Sequence, residues 1–203
     1  MKLHWSPRSP FVRKVMIVAH ERGLVDRIVC VRTVAAMTKP HAELMQDNPL
    51  SKIPTLVLDD GRVLYDSPVV CEYLDGLGDA PKLFPVDPEA RFEALRRQAL
   101  GDGFLDMLVA LRNERERPHP SDVHIASTAV RTAVVLQRLD REAEALGVAP
   151  FGIGHIAIGC ALSYLDFRFA QDDWRQAHPR IARWHAGFAA RASVRATEPI
   201  DDS

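Results

Sequence analysis

Apolar and polar positions change rhythm once along this chain. Through residue 78, short β-branched runs alternate with helical patches, and from Asp87 onward only the helical period remains. "KLHW" (Lys2–Trp5) predicts a strand. From Pro10 to about Arg22, the apolar residues Phe11, Val15, Val18 and Ala19 fall on one face of a helix that Gly23 ends. "RIVCV" (Arg27–Val31) predicts a second strand, and a loose helix follows around Pro40–Gln46. "TLVL" (Thr55–Leu58), the turn "DDGR" (Asp59–Arg62) and "VLY" (Val63–Tyr65) predict a hairpin. "SPVVCEYLDGL" (Ser67–Leu77) predicts a helix with Ser67 at the N-cap and Pro68 at the first helical position. The order is β-α-β-α-β-β-α.

The second half predicts helices alone. A long one starts at the Asp87-Pro88 cap, with Gly101 and Gly103 as places to bend it. Another starts at Ser121-Asp122. "IGHIAIGCALSYLDFRF" is apolar nearly all round in its first half, which predicts a central buried helix. "HPRIARWHAGFAAR" predicts one more amphipathic helix. "GDAPKLFPVD" (Gly78–Asp87) carries two prolines and joins the halves. The expected domains are 1–78, a linker at 79–86, and 87–203. The run "RNERER" (Arg112–Arg117) reads as a solvated helix end, with a patch for an acidic ligand as the alternative.

Composition narrows the function classes. The 203 residues are 47% apolar and 26% charged, as in an ordinary globular protein with a sizeable core. A formal net charge of −1 supplies no field for nucleic acid or an acidic membrane. No apolar run approaches a membrane span, and "MKLHWSP" lacks the apolar core of a secretory signal, so a cytoplasmic protein is expected. Cys30, Cys71 and Cys160 lie far apart, with no spacing suited to a metal or a disulfide framework.

Three local motifs carry chemistry. Ser6-Pro7 ends the first strand and turns the chain, whereas Ser9-Pro10 runs directly into the helical pattern. Ser9 therefore stands at a helix N-terminus at the carboxyl end of a strand, where α/β folds place ligands and where amides and dipole favour an anion such as a thiolate. Taken alone, a plain N-cap suffices. In "NPLSKIPTLVLDDG", Ile53-Pro54 leads into a strand. A trans proline starting a strand accounts for it locally; a cis bond would turn the Ile53 backbone toward another extended peptide. In "YDSPVVCEYL", Asp66 can accept from an ammonium group while Ser67 and helix amides can bind a carboxylate, although a capped helix alone would read the same way.

The three motifs in this order within one β-α-β-α-β-β-α unit resemble the glutathione S-transferase superfamily, in a serine-type form with a tau- or omega-like N-terminal motif. "SPFVRKV" is similar to that family's opening after its first strand. "NPLSKIPTLVLDDGRVLYDSPVVCEYL" is similar to its glutathione-site core, and "FAARASVRATEP" resembles its last helix and the stretch after it. The resemblance covers nearly the whole chain. It implies a thioredoxin-like α/β N-terminal domain followed by an all-α domain. It implies a transferase that activates glutathione, its co-substrate, as a thiolate for attack on a small hydrophobic electrophile, with no metal, nucleic-acid or membrane partner. The other reading is a glutathione-binding module with little turnover serving a stress pathway or a partner, or one with peroxidase-like side activity.

Residue by residue, the resemblance implies that Ser9 donates to the glutathione sulfur. Ile53 would pair with the cysteinyl part beside a cis Pro54, and Asp66 and Ser67 would hold the γ-glutamyl end. Lys52 would face the glycine carboxylate or make a neighbouring backbone contact, with Lys39 and His41 as further candidates for that carboxylate. Asp102 would reach the γ-glutamyl amine across a homodimer whose seam involves Glu72, Tyr73, Arg91 and Arg96. The electrophile would meet Arg8, Phe11, Phe104, Met107, Leu108, Leu111 and Trp174, between the halves. A thiol with pKa near 8.5 is mostly protonated at neutral pH. Lowering that value by about two requires ~2.7 kcal/mol, within reach of one hydroxyl hydrogen bond and a helix N-terminus.

One departure stands out. Where many relatives start the central helix with Ser or Thr and an Asp three residues on, this chain has Gly152 and His155, a loss worth roughly 0.5–2 kcal/mol unless another group compensates. Position 9 is Ser, so cysteine-dependent dehydroascorbate-reductase or deglutathionylating chemistry is not expected there.

Overall fold

In the computed structural model, which describes residues 1–202, strand β1 (Lys2–Trp5) lies inside a four-stranded sheet of order β2-β1-β3-β4. Helix α1 (Pro10–Glu21) carries the chain over to β2 (Val29–Arg32), which pairs parallel with β1, as a helical crossover permits. A short helix, α2 (Ala42–Asp47), precedes β3 (Thr55–Val57), which runs antiparallel to β1, and β4 (Val63–Leu64) closes the hairpin. Gly61 takes the positive φ of 85° that this turn requires. Helix α3 (Ser67–Leu77) packs on α1, and together they bury Val15, Val18, Val70 and Leu74.

The second strand begins two residues later than its apolar run, because Val25–Arg27 forms a 3₁₀ turn. Ser67 is the first helical residue of α3 rather than its cap; Asp66 holds the cap position without bonding through its side chain.

The chain divides into two compact units, Met1–Pro88 with the residues from Ala192 onward, and Glu89–Arg191. The helical domain expected over 87–203 is thus divided differently at its end. Helix α9 (Ala192–Arg195) packs on α1: Arg13 donates to the Val194 carbonyl at 3.3 Å and the Ser193 hydroxyl to Glu21 at 2.5 Å. The segment expected as a linker is also anchored. Buried Asp75 accepts from the amides of Leu83 at 2.8 Å and Phe84 at 3.3 Å, and lies 3.3 Å from the buried Arg22 guanidinium.

In the second unit, α4 (Pro88–Arg115) runs unbroken through Gly101 and Gly103. Gly101 serves close approach rather than a bend: a Cβ there would lie 2.5 Å from the Ala157 carbonyl carbon. The unit is completed by α5 (Asp122–Val148), α6 (Ile153–Arg168), α7 (Trp174–Ala177) and α8 (Pro179–Ala189). Every residue of α6 from Ile153 to Leu165 is buried, as its all-round apolarity predicts. Its Gly154 and Gly159 admit Arg97 and the Phe188 ring. The charges of Arg112–Arg117 pair mostly with neighbours, Arg117 with Glu114 at 3.2 Å and Arg112 with Glu116 at 3.5 Å. No helix among the described residues is long and apolar enough to cross a membrane.

Candidate functional site

Strand register brings the three sequence motifs to one end of the sheet. His4, near the carboxyl end of β1, pairs with Thr55, the first residue of β3. Ser9 follows that end of β1, and Pro54 immediately precedes Thr55. Leu64 pairs with Leu56, so the chain leaving β4 into Asp66 and Ser67 departs at the same level.

Ser9 is the N-cap of α1. Its hydroxyl accepts from the Val12 amide at 3.3 Å, and its own amide donates to the Ser6 carbonyl at 3.2 Å, closing the turn that Pro7 starts. Capping uses an oxygen lone pair and leaves the hydroxyl proton free to donate outward. The side chain is half-buried.

The Ile53–Pro54 bond is cis, as is Tyr65–Asp66. The Ile53 amide and carbonyl take part in no hydrogen bond among the described residues, which leaves both groups open to another peptide. The loop before it is held by Asn48, a buried residue that sequence reasoning did not single out. Its side-chain amide donates to the Lys52 carbonyl at 3.1 Å and the Thr55 hydroxyl at 2.9 Å, while its carbonyl oxygen accepts from the Leu50 amide at 3.0 Å. Ser51 adopts a φ of 51° in this loop. The Asn48-Pro49 pair was the available signal, since Asn before Pro favours a turn.

Asp66 is exposed, with no partner for its carboxylate among the described residues. Ser67 is buried, and its hydroxyl likewise makes no hydrogen bond there. Lys52 and Lys39 are exposed. His41 uses Nδ1 to cap α2, accepting from the Leu44 amide at 3.2 Å.

The apolar candidates differ in access. Phe11 and Met107 are half-buried, whereas Phe104, Leu108, Leu111 and Trp174 are buried. Trp174 donates its indole N–H to Asp166 at 2.9 Å. Nearby, Ser163, His185 and Asp166 imitate a nucleophile–base–acid series, with the Ser163 hydroxyl 2.9 Å from His185 Nε2. Arg175 lies 3.1 Å from His185 Nδ1 and can only donate, so Nδ1 accepts and the ring proton sits on Nε2, pointing at the serine. That imidazole cannot take the serine's proton. Among the described residues, no group of three or more His, Cys, Asp or Glu side chains could hold a metal ion.

The family profile "Glutathione S-transferase, N-terminal domain" matches residues 8–77, and "Glutathione S-transferase, C-terminal domain" matches residues 135–187. The chain is 30% identical to the uncharacterized GST-like protein YibF of Escherichia coli K12, with 98% of each chain covered. It is similar to a glutathione transferase family member from Pseudomonas fluorescens Pf-5 solved with bound glutathione, at 40% identity, TM-score 0.94 and 98% of each chain. A further Pseudomonas fluorescens Pf-5 structure, with bound S-(propanoic acid)-glutathione, aligns at 37% identity and TM-score 0.90, covering 98% of this chain and 100% of that one.

Proposed function

This chain belongs to the glutathione S-transferase superfamily, and from that premise we propose that it activates glutathione as a thiolate and transfers it to a small electrophile. The observation that carries the reading is the register that sets Ser9, Ile53–Pro54 and Asp66–Ser67 at one end of the sheet. Ser9 donates its hydroxyl proton to the sulfur, at the amide end of α1. The open Ile53 amide and carbonyl pair with the cysteinyl part. Asp66 accepts from the γ-glutamyl ammonium, while the Ser67 hydroxyl and the first amides of α3 receive its carboxylate. Lys52 and Lys39 are the cations for the glycine carboxylate. With an aryl halide, the thiolate forms a sulfur–carbon bond and the halide leaves with the electrons of the bond that breaks.

The relatives solved with glutathione and with an S-linked propanoic acid support a site that holds both thiol and thioether. Phe11, half-buried two residues from Ser9, is the apolar candidate for the electrophile beside the proposed sulfur site. The reading takes the protein as a cytoplasmic homodimer, checked by sedimentation.

The test compares retention on glutathione-agarose and conjugation of 1-chloro-2,4-dinitrobenzene for the native chain and Ser9→Ala. Retention of both, with conjugation slowed roughly ten- to a hundredfold in Ser9→Ala, is expected. Full activity in Ser9→Ala would remove the serine from its role. Calorimetric glutathione binding without turnover on a broad electrophile panel would favour a binding module instead.

A further inference from the structure

A pair of arginines stands at the same end of the sheet. Arg8 immediately precedes Ser9. Arg32 ends β2 in register with Trp5, the last residue of β1. Both residues therefore sit at the carboxyl ends of the two parallel strands, the usual ligand edge of such a pair. One carboxylate joins them: Asp202 places Oδ1 3.0 Å from Arg8 Nε and Oδ2 2.6 Å from Arg32 Nε. Asp201 adds an oxygen 3.8 Å from Arg8 NH1. Two guanidinium groups this close repel each other unless an anion lies between them, so the pair is shaped around one carboxylate.

All the side chains involved are partly exposed, and ion pairs of that kind are weak and salt-sensitive. This contrasts with Asp75, which is buried and bound to two backbone amides. Asp202 therefore behaves as a stand-in that a carboxylate of matching geometry can displace.

We propose that Arg8 and Arg32 form a carboxylate-recognition site beside Ser9 that selects electrophiles bearing an anionic group, with Asp202 occupying it until that group arrives. The electrophile part rests on the transferase reading; the affinity for carboxylates does not. The site makes Arg8 and Arg32 specificity-determining residues and predicts discrimination between an acid and its amide of the same shape.

The test is calorimetric titration, at low ionic strength, of 3,5-dinitrobenzoate and of uncharged 3,5-dinitrobenzamide into the native chain, Asp202→Asn, and the double variant Arg8→Gln, Arg32→Gln. The benzoate should bind roughly three- to tenfold more tightly to Asp202→Asn than to the native chain, the scale of one or two exposed ion pairs. The double variant should lose the preference for benzoate over benzamide. Because Asp202→Asn predicts a gain, misfolding cannot imitate it. Equal benzoate affinity in the native chain and Asp202→Asn, with no preference over benzamide, overturns the proposal. Conjugation of 4-chloro-3,5-dinitrobenzoate and its amide is then measured separately. Carboxylate preference in binding with neither compound conjugated keeps the anion site and sinks the transferase reading. Conjugation of both at equal KM in every variant keeps the transferase reading and sinks the site.

Discussion

His155 accepts the Gly152 amide on Nδ1 at 3.2 Å while its Nε2 lies 3.0 Å from the Leu146 carbonyl. The Nε2–H donates, so the imidazole is neutral and replaces half of the reciprocal cap whose other half a glycine cannot supply. Burial, reinforced by Arg97 and Arg191, holds its pKa below the ordinary 6.5. The unfolded chain takes up this proton near 6.5 and the folded chain only at lower pH, so stability declines as pH falls from 6.5 toward the folded value. Urea unfolding well above and well below that value should show the decline. His155→Ala should be less stable by about 1–3 kcal/mol above it and should depend less on pH.

Gly101 and Gly103 predict opposite outcomes from the same substitution. A Cβ at Gly101 meets backbone, the Ala157 carbonyl carbon at 2.5 Å and the Ile158 nitrogen at 2.6 Å, and backbone cannot rotate away. Gly101→Ala should cost about 1–3 kcal/mol through separation of α4 from α6. Gly103 has nothing within 4 Å, and Gly103→Ala should stabilise by about 0.4–1 kcal/mol. Paired thermal melts decide this.

Ser9 carries two separable jobs, a cap and a proposed hydrogen bond to sulfur. Ser9→Ala should remove both, costing about 1 kcal/mol of stability and roughly ten- to a hundredfold in conjugation rate. Ser9→Gly should cost only a few tenths of a kcal/mol in stability while losing activity equally. The pH dependence of turnover should move toward the free thiol in both. Equal activity in Ser9→Gly and the native chain would assign the serine to capping alone.

Asn48→Ala should cost about 1–3 kcal/mol, because it takes the acceptor from the Leu50 amide and one partner each from the Lys52 carbonyl and the Thr55 hydroxyl, which keep only their bond to each other at 2.8 Å. The loop it holds ends at Ile53, so glutathione-agarose retention should fall more than stability explains. Retention of the remaining folded protein, measured beside chemical unfolding, checks this.

Much of this arrangement is legible in sequence because it is periodic or local. The strands, α1 and α3–α6 follow from apolar spacing, and Ser9 as a cap follows from Ser-Pro beside a helical face. What escapes depends on chain segments meeting. Asn48 binds a carbonyl and a hydroxyl that only the loop's closure brings to it. His155 compensates the missing cap through Leu146, which belongs to a different helix. Gly101 reads as a hinge until α6 is set against it, and Asp202 meets Arg8 from the far end of the described chain. The four-residue helices α7 and α9 are too short to show a period.

The pairing of His4 with Thr55 also bears on the order of folding. It closes a loop of roughly fifty residues, an entropic cost that local helices do not meet. Until β3 docks on β1, Ser9 and the Ile53 edge belong to separate parts of the nascent sheet. Occupancy of the proposed glutathione site would then report completion of the whole first unit, and the tripeptide would act as a thermodynamic latch on its last-formed strand pair.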